Sequence, residues 1–496
     1  MKKIFLSIVA AVVVLPALAG GLMTNTNQSA SFLRSIARGT SLDPDAVLHN
    51  PAGVVFMENG WHFGLSDQMA IQTRSTESTF APFAMNAANP GLMTKEFKGE
   101  VFSPLIPGVH LAWKKNRWAV MFGMGVNGGG GTMEYDGGLA SFERQFSVLP
   151  AGITQLGQAY GLTANQYAMD MYLKGKSMTL AFNLGAAVRL TDWLSLSAMV
   201  RFSSTSNSYE GYMKDIQTNP SAPAMGLSGQ MMSAPAFFTA AAQMLGQMGM
   251  LTPEMQMALG TNAVKTADHI LDVKQKGTSW SPVIALAFHH GKWDASLKYE
   301  FKMPTMLEIE SAEVSANDPV INAIFPNGSE IEYETPALLA LAVSRHCGPV
   351  KVTVEWHHFF DKKARNSFTK NQMIGGVKAL YNNMNCTVLG DTNEYLAGAE
   401  WTISKRWLVS LGVQRTQYNL DEQYYSDMNF STSSTSVGLG LKFGITDNIA
   451  LNAGFMKTFY EDVTAVGTYQ GVPFEDIYSR SSISWGLGLD FKFGTK

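Results

Sequence analysis

Ser482-Ile483-Ser484-Trp485-Gly486-Leu487-Gly488-Leu489-Asp490-Phe491-Lys492-Phe493 repeats with a period of two. Its odd positions are large and apolar, while its even positions are serine, glycine, aspartate or lysine. Successive side chains of a strand point to opposite faces, so this segment presents one face to an apolar phase and the other to a polar one. A soluble β-sandwich with one wet face would alternate in the same way. The connectors between such segments separate the two readings.

Similar alternation runs through residues 178–189, 194–202, 293–301, 350–356, 407–413 and 449–455. The turns between segments are alternately very short and very long. The short ones are Lys114-Lys115-Asn116-Arg117, Thr191-Asp192, His290-Gly291-Lys292, His346-Cys347-Gly348-Pro349, Ser404-Lys405-Arg406 and Ile445-Thr446-Asp447-Asn448. Six short turns and seven long connectors between residues 60 and 493 join fourteen strands. Tight turns on one side and long loops on the other are the layout of an outer-membrane barrel. Trp113, Trp118, Trp193, Trp293 and Trp407 flank the short turns, as an interfacial aromatic girdle does. The expected fold is all-β: a fourteen-stranded antiparallel transmembrane barrel over residues 60–496.

Residues 1–19 read as a secretory signal, with Lys2-Lys3, an apolar run over 4–15, and Ala17-Leu18-Ala19 before Gly20. That run is too short for a membrane-spanning helix, and nothing else in the chain approaches one. Helices and closed barrels are the structures that satisfy every backbone group in lipid, which leaves the barrel. Formal net charge is −3, which gives no reason to expect a nucleic-acid partner. Cys347 falls in a short turn and Cys386 in a long loop, on opposite sides of the membrane, so no bond is expected between them. The pairs His289-His290 and His357-His358 point to opposite faces of their strands and are expected to be interfacial or turn residues rather than metal ligands. No cofactor or metal is expected, and no hydrolase elbow or nucleotide-binding loop is complete. A barrel enzyme of the lipase or protease type and a structural or adhesive barrel are the competing readings.

Residues 20–59 precede the first strand and lack its alternation. A segment of that length needs somewhere to go, and the barrel lumen is the economical place. It contains Asp43-Pro44-Asp45-Ala46 and then Asn50-Pro51-Ala52. Here the chain resembles the FadL/TodX family of outer-membrane transporters for long-chain fatty acids and other hydrophobic compounds. That family carries a small helical N-terminal plug, or hatch, with an Asn-Pro-Ala motif shortly before a fourteen-strand barrel. The resemblance implies that Asn50, Pro51 and Ala52 hold the hatch, and that cargo moves by passive diffusion. It also implies a kinked third strand that opens the wall sideways. Gly128, Gly129, Gly130 and Gly131, where the third strand is expected to end, occupy the matching region. Read as residues alone, four glycines would equally begin an ordinary loop.

The longest connector, residues 203–276, carries Met231, Met232, Phe237, Phe238, Met244, Met248 and Met250 at roughly helical spacing. Met-rich surfaces adapt to varied apolar ligands, so this cluster is a candidate outer capture groove. The same residues would equally serve to pack loop helices together. Alternation points Arg189, Arg201, Lys298, Glu300, Lys302, Lys351, Glu355, Glu400, Asp490 and Lys492 into the lumen, mostly to pair with one another. In the family, interior basic residues meet the substrate carboxylate. Tyr209-Glu210 stands about where an arginine is expected, which leaves Arg189 and Arg201 as carboxylate-binding candidates. The expected partners are lipophilic small molecules and outer-membrane lipid, and the barrel is expected to act as a monomer.

Overall fold

The computed structural model describes residues 27–158, 161–368, 373–374, 377–378, 388–428 and 430–494. The expected signal segment, the start of the expected hatch, and Cys386 lie outside the described residues.

Among the described residues, fourteen antiparallel strands close into one barrel. They are β1 Gly60–Phe80, β2 Thr94–Lys115, β3 Trp118–Tyr135, β4 Tyr167–Arg189, β5 Leu194–Thr218, β6 His269–His290 and β7 Trp293–Glu300. There follow β8 Leu338–Cys347, β9 Val350–Phe359, β10 Thr392–Thr402, β11 Trp407–Gln417, β12 Ser434–Gly444, β13 Ile449–Tyr460 and β14 Val472–Phe493. Closure is made by β1 against β14, in register from Trp61 opposite Phe493 to Phe80 opposite Phe474. The short turns are those expected, and Asn116, Gly291 and Gly348 adopt positive φ in them.

Burial inverts the pattern of a water-soluble protein. Leu184 and Leu487 are 63% and 59% exposed, while Ser195 and Asn452 are fully buried. Outward apolar side chains form a belt for lipid, and inward Ser, Thr and Asn line the interior. Trp118, Trp193, Trp293 and Trp407 are exposed beside the short turns, and Trp61 and Trp401 join them.

Two boundaries differ from expectation. The strand β3 continues through the glycine run to Tyr135 rather than ending there, because β4 keeps pairing with it. Both ends of residues 203–276 are strand, since β5 runs to Thr218 and β6 starts at His269. A tilted strand needs only about ten residues to cross the bilayer, so these long strands carry the wall well beyond it. The helices above that wall are α3 Ala140–Ser147, α4 Leu149–Gly157, α5 Ala234–Gln247, α6 Pro253–Lys265, α7 Glu313–Asn317 and α8 Pro319–Ile324.

Placing a charge on the lipid face tests the orientation of the wall. Leu487→Arg is expected to destabilise the barrel by about 2–4 kcal/mol, measured by urea titration in lipid vesicles.

Candidate functional site

Inside the barrel lie α1 Ala30–Arg34, α2 Ala46–His49 and the 3-10 turn Pro51–Phe56. Ser29 opens α1 by accepting from Phe32 N at 3.1 Å. Leu33, Ile36, Val54 and Val55 are fully buried against the wall. The wall yields to them by omitting side chains: a Cβ placed on Gly454 would lie 2.7 Å from both Arg34 N and Leu33 Cβ. Asn50 ends α2 and starts the next turn. Its Nδ2 donates to Ser41 O at 3.0 Å and its carbonyl accepts from Gly53 N at 2.9 Å. Pro51 takes the first position of the turn, where its missing N–H costs nothing. Ala52 O accepts from Ser195 Oγ on β5 at 2.7 Å, which ties the motif to the wall.

An ion cluster holds the other side. Arg34 Nη1 reaches Glu400 of β10 at 2.6 Å, and Arg38 Nη1 reaches the same carboxylate at 3.1 Å. Arg38 also bonds Asp45 at 2.8 Å and Asp43 at 2.9 Å. Lys442 of β12 bridges Asp43 at 2.6 Å and Asp490 of β14 at 3.0 Å. Burial alone would raise the Asp45 carboxyl, but Arg38 overrides it and holds Asp45 well below the usual carboxylate range. Asp43 is depressed likewise, with Lys442 the strongest opposing charge. Burial pushes His49 down to about 4, with Lys298 and Arg38 adding to the effect and Asp45 opposing it.

The two carboxylate-binding candidates have different surroundings. Arg201 is buried, bonded to Glu300 at 2.5 Å and to Asn183 at 2.8 Å, and Lys298 shares Glu300 at 2.8 Å. Arg189 sits at the short-turn end of β4, with its backbone N bonded to Arg117 O. The structure does not bring the two together. His357 departs from the interfacial expectation: it is buried between Glu394 at 2.9 Å and Glu355 at 2.6 Å, and Glu355 also accepts from Gly39 N at 2.8 Å. Even positions of β9 face outward here, so His358 rather than His357 takes the rim side, where it bonds Asn393.

The wall is interrupted between β2 and β3. Their pairing stops at Phe102 opposite Thr132 and resumes at Val109 opposite Met124. On the β2 side the unpaired stretch holds Pro104 and Pro107, which have no N–H to donate. On the β3 side lie Gly128, Gly129, Gly130 and Gly131, with two register shifts against β4 and φ of 68° at Gly129 and 113° at Gly130. A cavity inside the barrel reaches this interruption at Ser103, Ile106, Gly128, Gly129 and Gly131. The hatch touches it too, since Gln28 Nε2 donates to Asn127 Oδ1 at 2.8 Å.

A second cavity lies among the outer helices. It is lined by Phe142, Phe146, Leu149 and Ile153 of α3 and α4, and by Val320, Ile321 and Ile324 of α8. Met428 lines both cavities. Of the Met/Phe cluster, Phe238 lines the outer cavity, while Phe237 packs beside it in a buried core. Met231, Met232 and Met244 are half-buried, and Met248 and Met250 are exposed. The floor is instead built by the loop between β3 and β4. Its spacing was legible: Leu139, Phe142, Phe146, Leu149, Ile153 and Leu156 recur three or four residues apart. Pro104 and Pro107 were a second readable signal. Arg34 and Arg38 carried none, because alternation does not apply to a helical hatch.

No protein-family model and no curated protein sequence matches this chain. Solved structures do. A FadL homologue from Pseudomonas aeruginosa superposes with TM-score 0.63 over 96% of this chain and 100% of its own, at 13% identity. The chain has the FadL-type fold. The Pseudomonas putida toluene transporter TodX shares the FadL-type fold with TM-score 0.53 and 14% identity, covering 93% of this chain and 97% of its own. The Ralstonia pickettii toluene transporter TbuX gives TM-score 0.53 and 14% identity over 95% and 99%.

Removing Arg38 from this luminal segment leaves Asp45 buried without its cation. Arg38→Met is expected to weaken hatch docking by about 3 kcal/mol, seen as raised single-channel conductance in planar bilayers. Acid should act through His49. Its docked form stays neutral while the released form gains a proton, so docking strength is lost as pH falls from about 6.5 toward 4. Between pH 7 and 5 the loss is about 2 kcal/mol, read by hydrogen exchange of residues 27–57 and absent in His49→Gln.

Proposed function

We propose that this protein is a passive channel of a Gram-negative-type outer membrane for hydrophobic small molecules, long-chain fatty acids foremost. A sixteen-carbon tail loses about 12 kcal/mol on moving from an apolar phase to water, so an open aqueous pore is a poor route. The observation that supports the reading is adjacency: the apolar outer cavity and the luminal cavity lie against the same Met428, and the luminal one reaches the wall interruption. Cargo enters among α3, α4 and α8, passes Met428, and leaves sideways between Ser103–Pro107 of β2 and the β3 glycines into the outer leaflet. In this reading Asn50, Pro51 and Ala52 anchor a hatch that keeps the straight path to the periplasm shut. Phe238 contributes to capture, with Met231, Met232, Phe237, Met244, Met248 and Met250 shaping the surrounding loop. The unit that transports is one barrel.

Oleate uptake in cells lacking their own fatty-acid transporter tests this. The parent chain is expected to restore uptake, and Asn50→Ala/Pro51→Ala to reduce it at equal surface levels. Pro104→Thr/Pro107→Thr, which returns two donors to the gap, is expected to reduce uptake several-fold. A correctly assembled barrel that takes up toluene but no oleate would move the assignment to neutral hydrocarbons.

A further inference from the structure

Asp67 of β1 faces lipid. Trp61 and Leu65 on the same face are exposed, while Ser66 and Gln68 are buried toward the lumen. In the ladder Asp67 stands between Leu487 of β14, itself exposed to lipid, and Pro107 of β2. Trp61 marks the interface at the short-turn end of this strand, and a tilted strand crosses the hydrocarbon in about ten residues. Asp67 therefore lies well inside the apolar belt, where an ionisable side chain is costly and a leucine would suffice. Its Oδ1 accepts from Ile106 N of β2 at 2.9 Å.

Ile106 belongs to the stretch of β2 that has lost β3, between Phe102 and Val109. The hold of β1 on that stretch is irregular too. Gln68 pairs with Ile106 and Ala70 with Ser103, so Pro104 and Leu105 both bulge against Met69. Neither Pro104 nor Pro107 can donate, and a backbone N–H left open at this depth is costly. The Asp67 side chain supplies the acceptor and pins the loose stretch of β2 to β1. We propose that Asp67 is the positioning residue of the side exit: its bond to Ile106 holds the β2 lip away from the β3 glycines. The acceptor oxygen does this, whether or not it carries charge. The role rests on the reading of the barrel as a channel whose cargo leaves between β2 and β3. An unpinned lip samples arrangements that cover the gap, and cargo then passes more slowly.

The test pairs hydrogen exchange at the Ile106 amide, in the purified full-length barrel in lipid nanodiscs, with uptake of oleate and of toluene by cells carrying the same variants. Ile106 lines the luminal cavity, whose serines admit water to this segment, so exchange there reports the bond. Asp67→Leu is expected to speed exchange at Ile106 about tenfold and to lower uptake several-fold at equal surface levels. Asp67→Asn keeps an acceptor oxygen without the charge and is expected to restore both to the parent values. A residue that only braces the wall would leave uptake per barrel unchanged. Exchange of Ile106 at the unprotected rate in the parent overturns the proposal even if no variant assembles. Unchanged exchange or unchanged uptake in Asp67→Leu overturns it as well, and so does failure of Asp67→Asn to restore them. A parent barrel that takes up neither cargo overturns the channel reading and the exit role with it, an outcome distinct from normal parent uptake that Asp67→Leu leaves intact.

Discussion

Every backbone N–H and C=O that meets lipid must find its partner inside the protein, and this one constraint governs the rest of the structure. It forces the fourteen strands into a closed ring, sealed by twenty residues of β1 running against β14. It also makes any break in the ladder conspicuous. Irregular backbone at membrane depth is tolerated where it lines a cavity, and the β2–β3 interruption does so. Prolines on one strand and glycines on the other make the break in complementary ways. The prolines withdraw donors, and the glycines allow the positive φ through which β3 bulges while staying paired to β4.

The lumen obeys a second constraint, that inward charge needs an opposite charge. The hatch meets it by bringing Arg34, Arg38, Asp43 and Asp45 to a wall that supplies Glu400, Lys442 and Asp490. Such a cluster contributes little net stability after desolvation, yet losing one member is costly. It therefore specifies position more than strength, and it leaves the apolar contacts of Leu33, Ile36, Val54 and Val55 to supply the adhesion.

The two cavities differ in their lining. The outer one is walled by phenylalanine, leucine and isoleucine from α3, α4 and α8. The luminal one mixes tyrosines, serines, Arg74 and Arg480 with a strip of apolar residues. The sulfur of Met428, flexible and polarizable, sits where the two meet.

Much of the architecture follows from local chemistry and was legible along the chain. A period of two marks strands, charged and glycine-containing turns mark their short connections, and tryptophans mark the interface, because each depends on near neighbours and on the solvent alone. The turn at Asn50 is local in the same sense, since its bonds reach Ser41 and Gly53, whereas the bond from Ser195 to Ala52 depends on the fold. The lining of the outer cavity was not legible in this way. The methionines of residues 231–250 have the right composition, but which loop folds inward depends on how α3, α4 and α8 pack, and those come from distant parts of the chain. The facing of Arg74 and Arg480, the sharing of Glu300 by Arg201 and Lys298, and the gap opposite the glycines all join strands far apart in sequence. By itself the sequence determined a fourteen-strand barrel with a helical segment before it. Only the tertiary structure decided which charges are spent on one another, because ring closure and the placement of the helical segment inside the lumen set those neighbours.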